Sequence, residues 1–383
     1  MVGLIRQGIA TTQFFLFGKK NCTQTGYLKH VRQYKDPVQH AAIVDSNANS
    51  SADGVDLTGK TFLITGANQG IGKEIATYAA AKNAKVYILC RNEERAKDAQ
   101  KDIQDKTNNK NVTVLLADVS EPSHIQRVVK EFTAKEDKLD CLVCNAGALF
   151  NDRRVNSNNQ EVTLMSHLVC GSYQLTKLLL PSLKQSGNSR GNNEARVVFV
   201  SSGGMYNSKF PEWDIAASVG KYESTYNGNM AYTYAKRGQV LLAERFTKDY
   251  PDITFVSAHP GKRTERWNLL KLVFLSFRCL SNSNFFFCQK SSTGWVKTAG
   301  VDDAYGDNAK YLEPFRTLWE GSEGIAWLTA TPRKNIESGA FYLDRTPQRK
   351  HIAGLFMTDG SFTKNSEAEV DIMMKKLEEC VGV

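Results

Sequence analysis

Three side chains at fixed spacing could move a proton to or from an oxygen atom: Ser202, Tyr232 and Lys236. Tyr232 and Lys236 stand one helical turn apart, so a helix through them presents both on one side. An ammonium beside a phenol stabilises the phenolate and lowers the phenol's pKa. Such a phenol can donate or accept a substrate oxygen's proton, and a serine hydroxyl can polarise the same oxygen. The spacing alone is cheap, because Tyr-x-x-x-Lys also occurs at Tyr78/Lys82 and Tyr173/Lys177. Context separates the third copy. An apolar run, Val197–Ser201, reads as a strand ending at Ser202, and a glycine-rich loop lies far upstream.

That loop is Gly66-x-x-x-Gly70-x-Gly72, between an apolar strand and a helix. Glycines there allow a close approach that a Cβ would block. The helix start offers unpaired N–H groups and a positive dipole end to a pyrophosphate. The contact candidates are Gly66, Asn68, Gly70, Ile71 and Gly72. The next strand ends Ile88–Leu89–Cys90–Arg91. An acidic residue at that point would bind ribose hydroxyls; Arg91 can pair with a 2′-phosphate instead. NADP(H) is therefore preferred, and NAD(H) stays open because Glu93 and Glu94 could neutralise Arg91. Asp118–Val119 could contact adenine, or Asp118 could serve as a loop acid or cap.

Alternating elements must position these groups. Strands are expected at Thr61–Thr65, Lys85–Cys90, Val112–Ala117, Leu139–Cys144, Arg196–Val200, Ile253–Ala258 and, as the last, Ala340–Leu343. Helices are expected at Gly70–Lys82, Glu93–Lys106, Pro122–Lys135, Glu161–Gln185, Met230–Tyr250 and Glu367–Cys380, with one over the active site in Gly306–Thr331. Pro181 should mark a kink or restart. The alternation implies a parallel sheet covered on both faces, and the continuous apolar strands agree. We expect one doubly wound, Rossmann-type α/β domain over residues 58–345. A basic and then polar extension, 1–57, precedes it, and a tail, 346–383, carries a closing helix.

Composition narrows the rest. The 383 residues are 41% hydrophobic, enough for a core, and no apolar run is long enough to cross a bilayer. Of the net charge of +9, +5 lies in residues 262–294, so the excess does not point to nucleic acid. Cys141 and Cys144 form C-x-x-C inside a strand-like run, with no second Cys/His pair at zinc spacing. The eight cysteines read as reduced thiols, with no metal site. The first 35 residues hold six Lys/Arg and no Asp/Glu. A mitochondrial presequence or membrane-surface helix would look like this, but glycines interrupt the face, so an extension packed on the domain is preferred. The expected place is intracellular and cytoplasmic, with mitochondrial or peripheral membrane association as alternatives.

With these residues in view, the chain resembles the short-chain dehydrogenase/reductase family over about residues 58–345. The resemblance rests on Thr65–Gly72, Asp118–Val119, Asn145–Ala146–Gly147, Ser201–Met205, Tyr232–Lys236 and His259–Pro260–Gly261. It implies hydride transfer between a nicotinamide and a carbonyl or alcohol on a small or lipophilic substrate. It implies that Asn145, Ala146 and Gly147 support the central strand and cofactor, and that Lys236 also holds the nicotinamide ribose. It further implies a homodimer face on Glu161–Gln185 and Met230–Tyr250.

The sequence departs from the family pattern twice. The family carries an asparagine in the helix before the serine strand; counting back without gaps from Thr176 gives Leu168, and a one-residue gap gives His167. The family also continues Pro-Gly-x-x-x-Thr, with the threonine on the nicotinamide carboxamide. Here Pro260–Gly261 runs into Lys262, and joining Gly261 to Trp295 restores Pro-Gly-Trp-Val-Lys-Thr, ending at Thr298. Residues 262–294 read as translated intron: Gly261–Lys262 can encode a splice donor, and Phe285–Gln289 a pyrimidine-rich acceptor tract. The alternative is a basic, aromatic insertion beside the substrate mouth. The two departures motivate a competing function, a catalytically weak nucleotide-binding scaffold or sensor of the same fold.

Overall fold

The computed structural model describes residues 21–34, 55–190, 195–261, 316–351 and 363–382. Residues 262–294, Thr298 and the first part of the helix expected from Gly306 lie outside them.

Eight strands form one sheet in the order β3-β2-β1-β4-β5-β6-β7-β8. They are β1 Thr61–Thr65, β2 Lys85–Cys90, β3 Val112–Leu116, β4 Cys141–Cys144, β5 Arg196–Val200, β6 Thr254–His259, β7 Phe341–Leu343 and β8 Thr346–Gln348. All neighbouring pairs are parallel except β7–β8. The order reverses between β1 and β4, which opens a crevice at the carboxyl ends of the strands. The strand expected to be last is thus followed by another. The left-handed Asp344 and Arg345, φ 49° and 60°, turn the chain into an antiparallel edge that runs past residue 345.

The helices are α1 Gln24–Val31, α2 Gly70–Ala81, α3 Glu93–Thr107 and α4 Pro122–Thr133. Then come α5, in three parts described next, α6 Gly228–Asp249, α7 Leu318–Ala330 and α8 Glu367–Val381. Alternate strand residues point to opposite faces. Phe62, Ile64, Val86, Ile88, Val198 and Val256 meet α2, α3 and α7 on one side. Leu63, Leu142, Val197, Phe199 and Phe255 meet α4, α5, α6 and α8 on the other. Full burial of each such side chain stabilises by roughly 1.5–3 kcal/mol.

One expectation about helices needs correction. α5 is an α-turn Val162–Leu164, a π-helical stretch Met165–Gln174 and an α-helix Leu175–Arg190. It continues through Pro181, and the change of winding lies upstream of it. The described part of the helix expected in Gly306–Thr331 is α7, which packs beside α2, with Trp319 on Tyr78 at 6.1 Å. A reciprocal cap between Thr317 and Glu320 starts it.

The C-x-x-C on β4 is explained by strand geometry. Residues three apart in a strand face opposite ways, and Cys141 and Cys144 enter different cores. Burial pushes both thiols up to about 12. No helix among the described residues is long and apolar enough to cross a membrane.

Asn21–Tyr34 packs on the domain. Thr23 caps α1, Cys22 and Tyr27 are buried, and His30 Nδ1 lies 2.8 Å from Asp344 Oδ2. Arg316 stacks over Tyr27 at 5.1 Å, and Arg345 over Tyr34 at 4.2 Å.

Candidate active site

The glycine loop sits where β1 meets α2. Gly66 adopts φ +65°, and a Cβ there would lie 2.9 Å from Ala146 Cα. A Cβ on Gly72 would lie 2.5 Å from Asn145 Nδ2 and from the Gly66 carbonyl oxygen. α2 starts at Gly70 with no side-chain cap from Gln69, and Ile71 is partly buried against the core in its first turn. Asn145 ties two loops together: its Nδ2 donates to Thr65 O at 2.9 Å, and its backbone N donates to Thr65 Oγ1 at 2.9 Å. Ala146 N donates to the same hydroxyl at 2.8 Å.

A cleft runs along the carboxyl ends of β1 to β4. Gly66, Asn68, Arg91, Asp118, Val119 and Gly147 line it. The small residues and the uncapped helix start fit a dinucleotide, because its diphosphate needs close backbone approach and N–H donors. Arg91 is 71% exposed, and its Nη1 lies 3.5 Å from Asp118 Oδ2. Glu93, which could have neutralised Arg91, instead pairs with Lys97 at 2.7 Å. Asp118 also accepts from Ser120 N and Oγ at 2.9 and 2.7 Å. Burial opposes its ionisation, but Ser120 and Arg91 outweigh that and hold the carboxyl below the usual range.

Ser202 follows β5 and is buried; its Oγ accepts from Gly204 N at 3.2 Å at the start of a 3-10 turn, Gly203–Tyr206. Next to it, Ser201 Oγ donates to the Lys236 carbonyl at 2.8 Å, fastening β5 to α6. Asn227 caps α6 through Met230 N at 3.1 Å. Lys236 Nζ lies 5.4 Å from the Tyr232 ring centroid. The ammonium is buried and donates to Val200 O at 2.6 Å and Gln239 Oε1 at 3.2 Å. Burial pulls its pKa down to about 7, against a smaller upward pull from Cys144.

His167 faces Tyr232 edge-on, with ring centroids 5.2 Å apart. Its Nε2 donates to Ala148 O at 3.1 Å, so the ring is the Nε2–H tautomer with a bare, buried Nδ1. Burial first, then the Lys236 charge, holds it well below its ordinary pKa. A Cβ on Gly147 would lie 1.8 Å from His167 Cε1, so ring and loop are mutually fitted. Leu168, the ungapped choice, packs on Gly238 instead. His167 and Leu168 both lie in the π-helical stretch, which holds more residues per turn than an α-helix.

The other two Tyr-x-x-x-Lys copies serve packing: Tyr78 against Trp319, Tyr173 against Phe246 at 6.0 Å, with Lys177 donating to Tyr250 OH at 3.3 Å.

Pro260 and Gly261 are buried after β6. Gly261 N donates to His259 Nδ1 at 3.2 Å; the His259 ring stacks on Phe341 and meets Cys22 Sγ at 3.8 Å. Gly261 adopts φ +86°, and a Cβ there would lie 2.1 Å from Arg316 Cζ. The structure thus brings Ser202, Tyr232, Lys236, the glycine loop and Asn145–Gly147 to one sheet edge. Gln239 and Arg316 are contributors the sequence reading did not single out. Gln239 was legible as a polar residue one turn beyond Lys236, whereas nothing local marks Arg316.

Comparison with known proteins agrees with this architecture. The profile of the family described as short chain dehydrogenase matches residues 60–213. The human dehydrogenase/reductase SDR family member 12 is 30% identical over 300 residues, covering 78% of this chain and 80% of that relative. Human retinol dehydrogenase 12 is 35% identical over 231 residues, 59% of this chain and 69% of that protein. Among solved structures, a protein from Mycobacterium paratuberculosis superposes with a TM-score of 0.56 at 18% identity, covering 87% of this chain and 97% of its own. A short chain dehydrogenase from Escherichia coli CFT073, complexed with NADPH, gives 0.51 at 18% identity, covering 76% and 98%. At that identity the likeness concerns the fold.

Proposed function

Since the chain belongs to the short-chain dehydrogenase/reductase family, and is thereby an NAD(P)-dependent oxidoreductase, we propose that it interconverts a carbonyl and an alcohol with NADP(H) on a small or lipophilic substrate. The observation that carries this reading is the buried Lys236 ammonium beneath the Tyr232 ring. A bound nicotinamide supplies or accepts the hydride. Tyr232 donates or accepts the oxygen's proton, Lys236 favours its phenolate, and Ser202 polarises the same oxygen. Gly66, Asn68, Gly70, Ile71 and Gly72 hold the pyrophosphate side; Asn145, Ala146 and Gly147 brace the middle; Pro260 and Gly261 close the nicotinamide side. Thr298 joins that group once residues 262–294 are removed from the reading frame.

Arg91 at the open end of β2 supports the 2′-phosphate, because its contact to Asp118 is at the long limit of a hydrogen bond. The similarity to a retinol dehydrogenase supports a lipophilic alcohol or aldehyde. NADPH oxidation across a panel of aldehydes and ketones, with Tyr232→Phe beside the wild type, tests the reading. Turnover that vanishes in the variant while NADPH still binds supports it. NADPH binding without turnover in the wild type replaces it with the scaffold.

A further inference from the structure

Lys236 is a buried cation that touches no carboxylate among the described residues. Burying an ammonium without a counter-charge is costly unless its protons find acceptors. Val200 O provides one and Gln239 Oε1 the other. Gln239 is itself fully buried, and its amide is used at both ends. Its Nε2 donates to His167 O at 2.9 Å and lies 3.0 Å from Ser172 Oγ. Ser172 Oγ in turn donates to His167 O at 2.6 Å. Only one flip of the amide satisfies this set, because an ammonium requires an acceptor and a carbonyl requires a donor. The carbonyl belongs to the π-helical stretch, the same segment that sets the His167 ring against Tyr232.

We propose that Gln239 is a positioning residue for proton transfer: its amide holds Lys236 Nζ beneath the Tyr232 ring and ties it to the His167 carbonyl. This rests on the reading of Tyr232 and Lys236 as the proton-transfer pair. Gln239 contributes a hydrogen-bond acceptor without a charge. The ionisable groups facing Nζ are Tyr232 on its own helix, Cys144 on β4 and His167 on α5. His167 is held neutral, and burial keeps Cys144 a thiol. A carboxylate introduced at position 239 would therefore be the strongest charge Lys236 meets.

The test is the titration of Lys236 itself, followed by NMR of protein carrying 13Cε-labelled lysine, with the signal identified by its loss in Lys236→Met. Gln239→Glu keeps the shape and adds a charge; Gln239→Met keeps the length and removes the acceptor. The expected result is an upward shift of about 1–3 units in Gln239→Glu and a downward shift in Gln239→Met. Either variant suffices if the other fails to fold. Lys236 titrating as in the wild type in both variants overturns the proposal. The reading it rests on fails separately. Titrations that move in a protein without carbonyl turnover uphold Gln239's hold on Lys236 and remove the chemistry. Tyr232-dependent turnover with unmoved titrations keeps the chemistry and removes Gln239's role.

Discussion

Lys236 and Arg316 are both buried cations near the carboxyl edge of the sheet, and the fold treats them oppositely. Arg316 forms a two-pronged pair with Asp344, Nη2 to Oδ2 at 2.7 Å and Nη1 to Oδ1. His30 braces the same carboxylate, and Glu323 with Arg345 forms a second buried pair close by. Lys236 has a backbone carbonyl and an amide. The difference lies in counter-charge. A paired cation keeps its charge at any working pH and serves as a fastener. A cation given only neutral acceptors sits near its titration point and can respond to chemistry beside it.

The largest expected effect breaks the chemical member. Tyr232→Phe should lower kcat/KM for carbonyl reduction by about 10²–10⁴-fold, the usual span of a proton-transfer group, while NADPH affinity measured by fluorescence stays unchanged. Next comes the structural member. Asp344→Asn leaves Arg316 buried without its anion and should destabilise the fold by roughly 3–5 kcal/mol in urea unfolding. Burial opposes the charge on Asp344, but Arg316 and His30 prevail and hold its folded pKa below the unfolded value. Its contribution is thus present above the ordinary carboxylate value of about 3.9 and is lost as pH falls through the lower, folded one.

A pH series sharpens the comparison further. Lys236 loses its proton as pH rises through about 7, so Tyr232-dependent reduction should fall on the alkaline side, by about tenfold per unit once the limb is reached. The unfolded lysine keeps its proton to about 10.4. The unfolded state therefore binds more protons between these values, and the lysine's contribution to stability rises with pH there. Activity and the Lys236 contribution to stability should run in opposite directions across one window, as kcat and calorimetric Tm series would show. The smallest effect is at the surface. Arg91→Ala should reduce the preference for NADPH over NADH in kcat/KM by about tenfold or less, because the site is exposed and Asp118 competes for the cation.

Much of this was legible in the residues because the signals are local. A glycine loop between strand and helix, apolar strands at regular intervals and a Tyr–Lys turn each reflect chain geometry within a few residues. The fold class and strand sequence follow from them. What escaped depends on contacts between distant parts. Within the π-helical stretch of α5, His167 meets Tyr232, whereas Leu168 packs on Gly238. Gln239 could be placed on the Lys236 face of α6, but its partner carbonyl is 72 residues away. Arg316 and Asp344 are 28 residues apart, with no periodicity linking them. The final hairpin was missed because two left-handed non-glycine residues make its turn.

The last helix has a consequence of its own. α8 lies over α5 and α6, with Val370, Met373 and Leu377 sunk between them and Lys248–Glu367 and Arg245–Asp371 along its rim. It covers part of the α5 and α6 surface on which the family resemblance implies a homodimer face. Clipping the backbone just ahead of Ser366 would bare the oily strip on which Val370, Met373 and Leu377 sit. The trimmed protein should then associate more than the intact one in size-exclusion chromatography.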